Sequence, residues 1–157
     1  MTFTEINGNL FDRKLEENEY YVHCISRDYA CGAGIAKEFN KRYNLSLRLL
    51  DLPRTSCMVI DDVINLVTKA RYWQKPTYDS LREALFDLKE LCEESWLNVK
   101  TLVMPRIGCG LDKLQWDNVK KMLKETFEDT DVAIEVYYLW YIFLTNCIFW
   151  SYNKIEE

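Results

Sequence analysis

The chain has 157 residues, 48% hydrophobic and 14% aromatic, enough to bury a core of its own, which excludes a disordered segment. Its formal net charge of −5 excludes a basic coat for non-specific nucleic-acid binding, though a local anion pocket needs only a few donors. Six cysteines (Cys24, Cys31, Cys57, Cys92, Cys109 and Cys147) and one histidine, His23, include no CxxC or other close Cys/His set. No structural zinc site is therefore expected, and free thiols in a reducing cytoplasm are. The opening Met-Thr-Phe-Thr-Glu has no basic-then-apolar leader, so a cytoplasmic protein is expected. No repeat or Pro/Gly/Ser linker divides the chain, and one domain over 1–157 is predicted.

In chain order, strands are predicted over 3–6 and 20–25, where Val, Ile, Tyr and Thr are frequent. A helix follows from Gly34, carrying Ile35, Phe39 and Tyr43 on one side. Strands over 57–61 and 63–68 flank Asp61-Asp62, which reads as a tight hairpin turn. Pro76 and Thr77 suit a helix start. The run that follows repeats Leu81, Ala84, Leu85, Leu88, Leu91 and Cys92 at three- and four-residue steps. A strand over 101–104 and a helix bearing Trp116, Val119, Leu123 and Phe127 come next, then a strand over 133–138. Alternating strands and amphipathic helices predict an α/β layered fold. Val136 to Tyr152 is almost wholly apolar and aromatic, interrupted by Thr145 and Asn146. Its length lies at the lower limit of a membrane span, which takes ~20 residues with a range of ~17–25. Packing on the domain or on a partner is preferred to membrane contact.

Strand, glycine loop and helix occur twice, over 24–39 and over 103–127. The first loop is Cys31-Gly32-Ala33-Gly34-Ile35-Ala36 and the second Pro105-Arg106-Ile107-Gly108-Cys109-Gly110-Leu111-Asp112. Glycines allow a backbone to turn sharply and approach a ligand, and the helix behind each loop offers amide donors to phosphate. Either loop alone is equally explained by close turn packing. Facing each other across a crevice at strand ends, the two could bridge a diphosphate. Neither matches a P-loop or the full dinucleotide fingerprint.

These strings resemble the macrodomain family. His23-Cys24-Ile25-Ser26 with Gly32-Ala33-Gly34-Ile35-Ala36 is similar to its first binding loop. Thr68-Lys69, Lys75-Pro76-Thr77-Tyr78, and the long run from Met104 to Asp112 with Leu114-Gln115-Trp116 resemble one subfamily, the terminal ADP-ribose protein glycohydrolases. The resemblance covers about residues 5–138. It implies a three-layer α/β/α fold with a mixed, mostly parallel sheet and ADP-ribose in a cleft above it. By that match Lys69 is the nucleophile and Asp112 the acid/base partner. Asn9, Leu10, Ser26, Gly32, Ala33, Gly34, Ile35, Ile107, Gly108, Cys109, Gly110, Leu111 and Tyr137 would line the ligand, with Tyr137 at the adenine end. A core aromatic remains an equal reading of Tyr137. The family usually has Gly-Asp near the first strand. Here it is Gly8-Asn9, whose side-chain oxygen still accepts a hydrogen bond but without charge assistance.

The implied reaction releases ADP-ribose from an acidic side chain, an O-acyl ester or a nucleobase, through a lysine adduct that water resolves. It calls for no metal and no cofactor. Its partners are ADP-ribose and ADP-ribosylated protein or nucleic acid. A lysine attacks only as the free amine, so Lys69 and Asp112 would share a proton whose place the substrate sets. Burial and cations such as Arg71 or Arg106, if close, would favour the amine. A non-catalytic ADP-ribose reader needs no such pair, and a phosphatase acting on ADP-ribose 1″-phosphate is a third reading. His23 reads as a hydrogen-bonded core residue, Trp116 as a helix-start core residue, and Cys31 and Cys109 as small residues in crowded loops.

Overall fold

The computed structural model describes residues 1–139; the apolar run beyond residue 139, and Cys147 with it, lies outside them. Strands β1 (Thr2–Asn7), β2 (Glu19–Ser26), β3 (Cys57–Ile60), β4 (Val63–Lys69), β5 (Thr101–Pro105) and β6 (Ala133–Tyr138) form one sheet of order β1-β6-β5-β2-β4-β3. Only β3 runs antiparallel, paired with β4 through the two-residue turn at Asp61-Asp62, where Asp61 takes a φ of 51°. All six predicted strands are present, with ends shifted by a residue or so. Asp61 falls in the turn instead of the strand.

Helices α1 (Gly34–Tyr43), α3 (Tyr78–Glu93) and α4 (Trp116–Phe127) match the periodic segments. Thr77 caps α3 through a reciprocal box with Ser80, and α1 stops where Asn44 turns left-handed at φ 55°. A short helix α2 (Leu45–Arg48) and 3-10 turns at Leu10–Asp12 and Leu49–Asp51 were not visible in the pattern. Leu45 and Leu49 are buried there while Leu47 and Leu50 are exposed. Four residues are too few to show a period.

Sheet alternation sorts the core into two layers. Val22, Ile64, Leu66, Leu102 and Met104 meet α3 and α4 on one face. Tyr21, Ile25, Val63 and Val103 meet Phe39, Leu45 and Leu49 of the α1 side on the other. These are the three α/β/α layers the resemblance implied. Among the described residues no helix is long and apolar enough to cross a membrane.

His23 is fully buried in the second layer, as expected. Its ring stacks on Phe39 at 4.3 Å and its Nε2 lies 2.6 Å from Asn65 Oδ1. Asn65 Nδ2 donates to the Met58 carbonyl at 2.9 Å, so its oxygen faces the imidazole and Nε2 carries the proton. Burial pushes the His23 pKa down to about 4. A histidine kept neutral in the fold stabilises it fully above the unfolded value near 6.5. That contribution is lost as pH falls from there towards 4, because the unfolded chain gains the proton first. Between pH 7.5 and 5 the loss should be about 2 kcal/mol. The carboxylates whose pKa is lowered, such as Glu5 and Glu19, add their own loss only further down. Urea unfolding at both pH values should show this loss in the wild type and a flatter dependence in His23→Gln. Equal dependence in the two proteins would remove His23 as its source.

Candidate functional site

All the strands except β3 are parallel, so the expected site residues gather at one edge of the sheet. Asn9 and Leu10 follow β1, Ser26 ends β2, Lys69 ends β4, the second glycine loop follows β5, and Tyr137 lies near the end of β6. β2 and β5 are neighbours, yet α1 leaves β2 for one face and α4 leaves β5 for the other. Adjacent strands whose connections part in this way open a crevice between their loops.

The first loop is set by Asp28. Its carboxylate accepts the Ser26 hydroxyl at 2.5 Å and the amides of Ala30 at 3.2 Å and Tyr72 at 2.9 Å. Burial alone would raise the Asp28 carboxyl; these hydrogen bonds outweigh it and hold the group below the ordinary Asp value. Ser26 therefore spends its proton inside the protein. The loop ends at Ala33, whose methyl group cannot cap α1, so the N-cap residue leaves the helix-start amides open to a ligand. Gly34 has a φ of +57°, and a Cβ there would stand 3.2 Å from Leu111 Cδ1, so the two loops touch.

In the second loop Gly108 has a φ of +72°, and a Cβ there would stand 3.0 Å from Leu114 Cδ1. The turn closes through the Leu114 amide on the Gly108 carbonyl at 2.8 Å. Gly34 and Gly108 are thus required by backbone conformation. Backbone conformation does not by itself require glycine at Gly32 and Gly110. Neither is left-handed, Gly32 would gain only a 3.9 Å contact, and Gly110 would meet nothing within 4 Å. Ile107 and Leu10 point into the core, so only their backbones face the edge. Ile35 packs partly on the α1 layer.

Lys69 Nζ donates to Asp112 Oδ1 at 2.7 Å, and each side chain is 15% exposed. The pair was expected from the sequence, and the fold brings together residues 43 positions apart. A depression of about 470 Å³ lies over Lys69 and Thr68, rimmed by Trp73, Lys75 and Thr77, a volume within the usual range for a small-molecule site. Arg106 does not turn to Lys69. Its guanidinium lies 4.3 Å from the Tyr138 ring and 3.5 Å from Glu5, and Arg71 acts on Asp28. Burial pushes the Cys109 thiol up to about 12 and Cys31 to about 11, which leaves these loop residues poor nucleophiles, as expected, and the strand residue Cys24 is likewise pushed up to about 12.

At the far end, Tyr137 and the Gly8-Asn9 corner come together. A Cβ on Gly8 would lie 3.8 Å from the Tyr137 ring. The Tyr137 hydroxyl donates to Glu135 at 3.0 Å, and Glu135 with Glu19 holds Arg13. Asn9 Oδ1 accepts the Phe11 amide at 3.0 Å, which occupies one of its two lone pairs. Asp28 and the Arg13 network are not visible in the pattern, because each is built from lone charged residues outside any motif.

No family model matches the chain. It is 42% identical over 142 residues to ADP-ribose glycohydrolase OARD1 of Bos taurus, covering 87% of this chain and 91% of that protein. It is 41% identical to OARD1 of Homo sapiens with the same coverage. The chain belongs to the OARD1 family of macrodomains. The macrodomain of Thermus aquaticus DarG shares the fold, with a TM-score of 0.73 at 22% identity over 87% of this chain and 98% of that one.

Proposed function

We propose that the protein is a cytoplasmic ADP-ribose glycohydrolase that acts through Lys69 and Asp112. The observation that carries this reading is the 2.7 Å contact between the two side chains at the end of β4, beside both glycine loops. A reader of ADP-ribose has no use for that pair. The loop amides and the start of α1 would hold the diphosphate, and Tyr137 with the Gly8-Asn9 corner would take the adenine end.

The chemistry then follows from the pair. Asp112 takes a proton from the Lys69 ammonium, which leaves an amine with a lone pair. The Lys69 amine bonds to the anomeric carbon as the bond to the linked group breaks, and that group leaves with the bond's electrons and a proton given up by the Lys69 nitrogen. The bond from the anomeric carbon to the ring oxygen then opens, the ring oxygen takes the second nitrogen proton, and an imine remains. Asp112 then helps one water add to the imine carbon, the C–N bond breaks, and ADP-ribose departs as Lys69 regains its protons. An acidic side chain, an O-acyl ester or a nucleobase would each serve as the linked group.

Purified protein incubated with an ADP-ribosylated glutamate peptide, ADP-ribosylated DNA and O-acetyl-ADP-ribose should release free ADP-ribose from at least one, read by chromatography. Phosphate release from ADP-ribose 1″-phosphate should be slower. A protein that binds ADP-ribose by calorimetry yet frees it from none of the three would be a reader instead.

A further inference from the structure

Leu111 is a junction of three segments. Its side chain abuts the first loop at Gly34, its own residue leads into Asp112, and its carbonyl accepts Lys75 Nζ at 2.6 Å. Lys75 comes from the segment between β4 and α3 and rims the same depression as Lys69. We propose that Lys75 is a positioning residue that latches the Leu111–Asp112 peptide and so aims the Asp112 carboxylate at Lys69. This rests on the Lys69–Asp112 reading and adds a residue to it.

The geometry favours a latch over an incidental contact for three reasons. First, the Leu111 carbonyl belongs to the same rigid peptide plane as the Asp112 amide, so fixing that oxygen limits how Asp112 can swing. Second, the loop's backbone hydrogen bonds are short-range, with the Lys113 amide on Gly110 at 3.2 Å and the Leu114 amide on Gly108 at 2.8 Å. They fold the loop on itself, so no backbone bond among them holds the Asp112 peptide against the segment that follows β4. Third, Lys75 stands on a fixed mount. The preceding turn is closed by the Gln74 amide on the Arg71 carbonyl at 3.0 Å, Pro76 is buried, and Thr77 is locked in the α3 cap. The hydrogen bond is charge-assisted but exposed, so water competes with it and its share in stability is small. Its share in alignment is larger, because a misplacement of about 1 Å in a catalytic group costs on the order of 10²-fold in rate.

Lys75→Met keeps the length of the side chain and removes its donors. With the substrate that the wild type cleaves best, this variant should lose about 10–100-fold in kcat. KM, the dissociation constant for ADP-ribose and the melting temperature should stay close to wild type. Lys75→Arg, which retains a donor, should recover part of the lost kcat, and Lys75→Gln should fall between them. In Asp112→Asn, adding Lys75→Met should cost little more, since the latch has nothing left to aim. Unchanged kcat in Lys75→Met while Lys69→Ala is inactive would overturn the latch and leave the catalytic pair standing. A loss confined to KM and ADP-ribose affinity would also overturn it, by making Lys75 a ligand contact. Full activity in Lys69→Ala would instead remove the underlying reading.

Discussion

Lys69→Ala is expected to abolish release of ADP-ribose from every conjugate while leaving ADP-ribose binding within a few-fold of wild type. The two effects separate because different atoms carry them. The diphosphate would be held by backbone amides at the start of α1 and in the second loop, whereas Lys69 would supply the amine paired with Asp112. Lys69→Arg should be equally inactive. A guanidinium stays protonated and has no lone pair to give. Calorimetry with ADP-ribose and a chromatographic release assay on the same preparations check both halves. Full turnover in Lys69→Ala would falsify the lysine adduct and favour a water activated directly by Asp112.

Asp112→Ala should slow release by roughly 10²–10⁴-fold, the usual loss for an acid/base group. Two effects compete in that variant. Without Asp112 the amine is generated more slowly, and any adduct is hydrolysed more slowly. If resolution suffers more, the adduct accumulates, and borohydride reduction followed by mass spectrometry should find the mass of ADP-ribose on the peptide containing Lys69. Removing the carboxylate also leaves a largely buried ammonium without its partner, so melting curves must accompany the rates. Asp112→Asn keeps the shape and separates the two causes. An Asn variant as fast as wild type would take Asp112 out of the chemistry.

Much of this was legible before any coordinates. The apolar period of α3 and α4, the β-branched runs of the strands and the Asp61-Asp62 turn each follow from a local pattern, and each was found. Lys69 and Asp112 were legible only through resemblance, because a lysine at a strand end carries no pattern of its own. Glycine spacing was a mixed guide. It marked both loops, but only Gly34 and Gly108 have the backbone angle that demands glycine, and that angle is invisible in a string of letters. Asp28 and Lys75 do their work through contacts with Tyr72 and Leu111, 44 and 36 positions away. Nothing local encodes such a contact.

The edge position of β1 bears on how the protein comes into being. Among the described residues, β6 is the one strand paired with β1, in register from Thr2 with Ala133 to Asn7 with Tyr138. β1 therefore waits for β6, which is made much later in the chain, before this pairing can form. Loop closure over so long a separation is slow, as in other folds dominated by distant pairings. Lys69 and Asp112 are both synthesised before β6, so the two can meet in a nascent chain whose Gly8-Asn9 corner is still unplaced. On the ribosome, the Gly8-Asn9 corner meets Tyr137 only after β6 has been made.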